Sequence, residues 1–357
     1  MKTTQCRRTS PAAFGTTKSR PAESLAGIGS VLLAASLFTG CTTTPAPTTG
    51  AKDDAPRTAS STPVVQRGKT ATKYTEDLPL HALPAGVCYD RGAAYAEQGQ
   101  WDKAIAEFTR AIEIYPRMAI AHADRGHAYL EKSNLDLAIA DLTEAIRLAP
   151  RLDRAYKDRG TAYAMQGKYD KAIADLTEAI RLDPNDARSY ANRGVTYGRK
   201  GEMEKMMADC TKAIQLDPTE AEAYRFRGVV YATRGRLDKA IAEFTQAIRH
   251  DPQLTEAYVA RAGAYLQNGE ADKALTDCMT AIRLNPKQAD AYVARAGVYA
   301  LKGDLGKALA DCHESIRLDP KDGKAYHFRG LIYEEKGEKA KAVADFKRAK
   351  ALGYQPE

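Results

Sequence analysis

The sequence has little from which a catalytic or metal site could be assembled. Its six histidines (His81, His122, His127, His250, His313 and His327) show none of the paired spacing that zinc coordination requires. No phosphate-binding glycine loop and no hydrolase nucleophile elbow occurs. Neither metal, cofactor nor catalysis is therefore expected. Cysteine is sparse, with 6 in 357 residues, which argues against a disulfide framework. The longest apolar run, Leu25 to Phe38, is about 14 residues where a spanning helix needs about 20. A basic excess is also nearly missing. The formal charge of +7 falls to +3 once residues 1–40, with five Lys or Arg against Glu23, are set aside. The remaining charge is mixed acid and base, the pattern of a solvated helix surface rather than a phosphate-tracking stripe, so no nucleic-acid partner is expected.

What the chain has instead is repetition. Tyr95, Tyr129, Tyr163, Tyr197, Tyr231, Tyr265, Tyr299 and Tyr333 recur every 34 residues. Taking Ala85 as position 1, eight units follow without insertion or deletion: 85–118, 119–152, 153–186, 187–220, 221–254, 255–288, 289–322 and 323–356. Each reads as two helices. In the third, Arg154 to Gln166 carries apolar or small residues at Tyr156, Gly160, Tyr163 and Ala164 before Gly167 interrupts. A second run from Lys171 to Leu182 places Ala172, Ile173, Leu176, Ala179 and Ile180 on one face, and Pro184 stops it.

The set Tyr156, Gly160, Tyr163, Gly167, Ala172, Leu176, Ala179 and Pro184 resembles the tetratricopeptide repeat, and all eight units hold this phase over about three quarters of the chain. The resemblance implies an all-α fold, a right-handed superhelical solenoid of eight helix-turn-helix repeats with a concave inner surface. Small residues at positions 8, 20 and 27 let paired helices approach, while position 24 fills the space between them. Position 28 is Ile in the first seven units and Lys350 in the last, as expected where no further unit covers it. The separate capping helix common in this family is missing, which leaves an end-to-end homodimer open.

Two irregularities interrupt the pattern. Met206 replaces a small residue at position 20 of the fourth unit, which is expected to push that pair apart and soften the joint. In units six and seven, Ala262–Gly263 and Ala296–Gly297 shift the glycine one place onto the inner face, either for close approach of a ligand or because one unit duplicated the other. Cys210, Cys278 and Cys312 occupy position 24 and Cys88 position 4, which reads as packing by small hydrophobes.

The front of the chain differs. Lys2, Arg7, Arg8, Lys18 and Arg20 precede the apolar run, which ends at Phe38, Thr39, Gly40 and Cys41. This resembles a bacterial lipoprotein signal over residues 1–40, with Cys41 the lipidated residue and membrane attachment through it. In a Gram-negative cell the resemblance implies, with Thr42 in place of an Asp after that cysteine, outer-membrane sorting and a periplasm-facing position. Residues 41–84, rich in Thr, Pro and Ala, read as a disordered tether reaching on the order of 35–40 Å.

Two ladders run through every unit: Arg at position 7 (Arg159 in the third) and an acid at position 23 (Asp175). They are expected to pair as structural bridges rather than line a groove for an acidic ligand. Partner binding is expected instead where units differ, on first-helix positions 2, 5, 6, 9, 12 and 13. There Arg154, Lys157, Arg188, Arg199 and Arg225 concentrate positive charge, Asn192 ends a run of aspartates at position 6, and Phe226 and Phe328 make the back more apolar. A peptide bearing acidic and apolar residues would suit such a groove. The family's carboxylate clamp does not carry over: Lys157 and Asn192 match it, but Thr161, Glu222 and Phe226 do not. The expected function is a non-enzymatic scaffold, lipid-anchored in the cell envelope, binding protein or peptide partners. A soluble cytoplasmic co-chaperone or adaptor is the alternative, and an enzyme with a repeat-built accessory domain comes third.

Overall fold

Gly167 takes a φ of +74°, a left-handed conformation that costs glycine little and turns the chain back on itself after one helix. Glycines at the same point of six further units do likewise, whereas the second unit places Ser133 there at φ +57°. The second helix of the third unit ends at Asp183, whose extended backbone leads into Pro184 while its N–H donates to the Ala179 carbonyl at 2.9 Å.

A computed structural model describes residues 84–354. The signal-like segment, Cys41 and the tether lie outside the described residues, apart from Pro84, which already begins the first helix. Sixteen helices and no strands occur among the described residues. They form eight consecutive pairs: α1 (Pro84–Glu97) and α2 (Trp101–Ile114), α3 (Ala119–Glu131) and α4 (Leu135–Leu148), α5 (Asp153–Met165) and α6 (Tyr169–Leu182), α7 (Ala187–Arg199) and α8 (Met203–Leu216). Then follow α9 (Ala221–Thr233) and α10 (Leu237–His250), α11 (Thr255–Gln267) and α12 (Ala271–Leu284), α13 (Ala289–Leu301) and α14 (Leu305–Leu318), α15 (Gly323–Glu335) and α16 (Lys339–Ala351). Each helix packs on its successor, and each first helix also touches the first helix of the next pair, while second helices make no comparable contact. The stack therefore curves with first helices on the inside, as a solenoid of tetratricopeptide type.

Close approach inside a pair is set by two positions read together. A Cβ on Gly160 would lie 2.8 Å from Leu176 Cγ, and one on Gly92, Gly228 or Gly330 would lie 2.6–2.7 Å from the facing phenylalanine ring. Where position 24 shrinks to Cys278 or Cys312, position 8 grows to Ala262 or Ala296, and all four are fully buried. Volume is thus conserved within the pair, which accounts for the Ala in these two units without any ligand. Gly263 and Gly297 beside them are buried rather than presented to the groove.

Met206 corrects the expectation of a soft joint. It is fully buried, and its pair packs as closely as the others. The fourth unit combines the small Gly194 and Cys210, so the flexible thioether fills the space they leave.

The Arg ladder is structural. Arg159 donates to both carboxylate oxygens of Asp175, at 2.7 and 2.8 Å, and to Thr143 Oγ1 of the preceding unit at 3.2 Å. Its guanidinium also lies 5.8 Å from the Tyr156 ring and 6.0 Å from that of Tyr163. The same fork binds the same carboxylate in units two, four, six, seven and eight. One residue thereby ties both helices of a unit together and, through threonine, reaches the unit before.

Position 28 is half-buried rather than sealed, whereas Lys350 is exposed. At the two ends of the described stack Val87 and Val343 stand 52% and 66% exposed, where no further described helix pair packs. Tyr354 packs against the last unit, its ring 5.2 Å from that of His327.

Candidate partner-binding groove

The expected basic residues lie on α5, α7 and α9, the first helices of units three to five, and most of these cations are already paired. Arg154 reaches back to Asp124 of the second unit and sits 3.8 Å from Asp158 on its own helix. Lys157 donates to Asp186 Oδ2 at 2.9 Å, and Arg188 lies 3.7 Å from Glu220. Burial opposes the charge on Asp186, but the ammonium of Lys157 and the hydroxyl of Ser189 hold its carboxyl below the ordinary value. The expected basic middle is therefore a ladder of ion pairs spanning adjacent units. Its acids were missed because Asp186 and Glu220 sit at the last position of a unit, just before a helix, where a capping role is the first reading. Asp186 does cap α7, accepting from the Arg188 backbone N–H at 3.3 Å.

Arg225, Phe226 and Phe328 were expected to line the groove, and the structure contradicts that. Arg225 is 0% exposed, its Nε donating to Glu222 at 2.6 Å and its guanidinium 3.8 Å from the Phe226 ring. Phe226 and Phe328 are 3% and 1% exposed. Large apolar side chains at position 6 gain more by inserting between neighbouring first helices than by facing water. Phe226 accordingly belongs to one buried cluster with Val195 and Ala260, and Phe328 to another with Val293, Ala294 and Val298. The apolar back of the array is core, not surface.

Farther forward the inner face holds His127, whose Nδ1 lies 3.1 Å from Asp158 and whose ring meets Trp101 edge-on at 6.0 Å. Burial opposes protonation of this imidazole, but Asp158 outweighs it and raises its pKa above the usual histidine value. No group of three or more His, Cys, Asp or Glu among the described residues could hold a metal ion. The thiols of Cys210, Cys278 and Cys312 are free and buried, and burial pushes that of Cys210 up to about 12.

A small hollow of about 20 Å³ opens between α5 and α7, with Thr161, Ala164, Met165, Asn192, Val195 and Arg199 in its lining. Two expected groove residues meet there. Asn192 Nδ2 donates to Thr161 Oγ1 at 3.1 Å, and Arg199 reaches the Ala164 carbonyl at 3.5 Å. The remaining walls, Thr161, Ala164, Met165 and Val195, fall on the inner positions 9, 12 and 13 expected from the sequence, but were not named as binding residues because only charged and aromatic side chains stood out there. Among the described residues no helix is long and apolar enough to cross a membrane.

Comparisons with known proteins agree with this architecture. Models described as TPR repeat match residues 92–133 and 160–201, and models described as tetratricopeptide repeat match 194–264, 259–323, 119–152 and 323–352. No curated protein matches the chain. Among solved structures it is similar to a chain in the APC/C hetero-tetramer Cut9–Hcn1, with 20% identity and a TM-score of 0.62 over 68% of this chain. It spans only 48% of that chain. It is also similar to a tetratricopeptide repeat protein from Parabacteroides merdae ATCC 43184, with 17% identity and a TM-score of 0.57, covering 70% of this chain and 98% of that one. These likenesses show the fold alone. With matches running from residue 92 to 352 and the same packed helix pair in every unit, the chain belongs to the tetratricopeptide repeat family.

Proposed function

We propose that the protein is a non-enzymatic scaffold that binds a protein partner in its concave groove and is held at the cell envelope by lipid on Cys41, facing the periplasm from the outer membrane. One contrast carries the binding half. The frame formed by Arg159, Asp175, Tyr163 and Gly167 recurs in nearly every unit, while inner positions change from unit to unit around an open hollow. A repeated frame maintains the stack, and a varied inner face is where one particular partner can be read. The envelope half rests on residues 25–41 of the sequence, where a short apolar run ends at Gly40 and Cys41. End-to-end association would bring the exposed Val343 toward an exposed Val87, and sedimentation of a Val343→Glu variant tests that contact.

A photo-crosslinking amino acid placed singly at Lys157 or Arg188, and for comparison at Glu178 on a second helix, tests the groove in intact cells. Adducts from the first two sites and none from the third are expected. Adducts from Glu178 alone would move the binding surface to the outer face. For the anchor, Cys41→Ser should shift the protein from the membrane to the soluble fraction and abolish labelling by a fatty-acid analogue. Unchanged labelling would exclude lipidation at Cys41.

A further inference from the structure

We propose that the hollow between α5 and α7 is the subsite that reads an acidic residue adjacent to an aliphatic one in an extended segment of the partner. The Arg199 guanidinium takes the carboxylate, while Ala164, Met165 and Val195 receive the tip of the aliphatic side chain. The inference rests on the groove-binding function proposed above and names the chemistry of its ligand.

Charge sets Arg199 apart. Arg154, Lys157, Arg188 and Arg225 each have a carboxylate partner, but no acid among the described residues lies within ion-pair distance of Arg199. Its one hydrogen bond, to the Ala164 carbonyl, is long at 3.5 Å. A guanidinium carries five N–H donors, so most of its capacity is unspent, and its planar fork suits a carboxylate. Arg199 is the only cation at position 13, which is otherwise Glu97, Glu131, Met165, Thr233, Gln267, Leu301 and Glu335. The position thus distinguishes one point along the array rather than serving the frame.

The second observation is the space beside it. At about 20 Å³ the hollow lies far below the range of about 300–1,000 Å³ typical of small-molecule pockets, so it admits the methyl-sized tip of one side chain and no cofactor. Its walls combine Ala164, Met165 and Val195 with the polar Thr161 and Asn192. Thr161 accepts from Asn192 and donates to the Lys157 carbonyl at 2.9 Å, so both polar walls are held in place before any ligand arrives. Met165 suits an adaptable apolar wall, having an unbranched and polarisable side chain. First helices of further units follow on both sides of the hollow, so the segment is taken to pass through and the carboxylate to be that of an internal Asp or Glu. Arg199 ends α7, where the helix dipole favours a cation, so the carboxylate meets the guanidinium on the side away from the helix.

The test is phage display of random heptapeptides flanked on both sides by linker, selected against the immobilised full-length chain. Arg199→Gln, Arg199→Glu and Arg283→Glu are run in parallel, the last being an exposed cation on a second helix. Wild type and Arg283→Glu should enrich peptides with Asp or Glu beside Leu, Ile or Val. Arg199→Gln should keep the aliphatic preference and lose the acidic one. By fluorescence anisotropy the leading peptide should bind Arg199→Gln about tenfold or more weakly. Its Asn or Gln analogue should lose a similar factor on wild type and nothing on Arg199→Gln. If both Arg199 variants enrich the same acidic peptides as wild type, Arg199 serves only the Ala164 carbonyl and this inference falls while groove binding stands. Enriched peptides without an acid have the same effect. If none of the four proteins enriches any peptide, the groove-binding reading falls with it.

Discussion

A Cβ placed on Gly228 would stand 2.7 Å from the ring of Phe244, the residue it faces across the helix pair of the fifth unit. In the next unit the same two places hold Ala262 and Cys278, both fully buried. In these units the space between the helices is therefore filled by two side chains of matched size, where the fourth unit needs Met206 as a third. Gly228→Ala should destabilise the array by about 1–3 kcal/mol through overpacking. Phe244→Cys alone leaves a cavity and should cost about 2–5 kcal/mol. The double variant, which reproduces the pair found in units six and seven, should recover much of both losses. Urea unfolding measures this, and a double variant no better than the sum of the two singles would overturn the volume-matching account.

Phe226 provides a second test, because its place in the groove and its place in the core predict different things. At 3% exposure it is core, so Phe226→Ala should cost about 3–5 kcal/mol and lower helicity near the middle of the array. A groove anchor would weaken partner capture and leave stability unchanged. Thermal unfolding of the purified chain without any partner separates the two.

The Arg159–Asp175 bridge should be worth far more than the surface pairs. Arg159→Ala leaves a carboxylate only 11% exposed without its fork and breaks the bond to Thr143, so a loss of about 2–4 kcal/mol is expected. Arg147 and Glu144, three residues apart on the solvent side of α4, make an equally short contact, yet Arg147→Ala should leave the unfolding midpoint where it was. Equal effects from the two variants would mean that burial is not what gives the ladder its value.

His122 makes the second unit sensitive to pH. It occupies position 4, filled by tyrosine in units three to eight, and its Nδ1 lies 3.3 Å from Asp141 Oδ1 while Nε2 lies 3.0 Å from the Pro116 carbonyl. Both facing groups only accept, so the imidazolium satisfies both contacts. The hydrogen bond to Asp141 raises the pKa above the usual histidine value, outweighing burial and the nearby Arg125; Glu144 stands close by on α4. With the folded value above the unfolded one, the stabilisation is complete below about pH 6.5 and disappears as pH rises through the raised folded value. Unfolding midpoints should fall over that interval in wild type, and His122→Tyr should flatten the slope. An unchanged slope in the variant would assign the effect elsewhere.

The fold was legible in the repeat pattern alone. A period of 34 residues, small residues at positions 8, 20 and 27, and a left-handed turn in every unit leave one way to bury the apolar faces, which is to stack the pairs. The pairing of Arg159 with Asp175 was legible for the same reason, since two invariant ladders of opposite charge need a common structural cause. What the repeat could not disclose was the fate of the residues that vary. Arg225 and Phe226 share their register with the half-buried Lys157 and Asn192, yet end in the core because neighbouring first helices close over them. Position 8 reads as an irregularity until Cys278 is seen to have made room for Ala262. Lys157 and Arg199 look alike as charges, and only curvature sets Asp186 beside the first and an open hollow beside the second. Periodic positions meet the same neighbours in every unit, so one line of sequence describes them. Variable positions meet different neighbours each time, and those contacts exist only once the units have stacked.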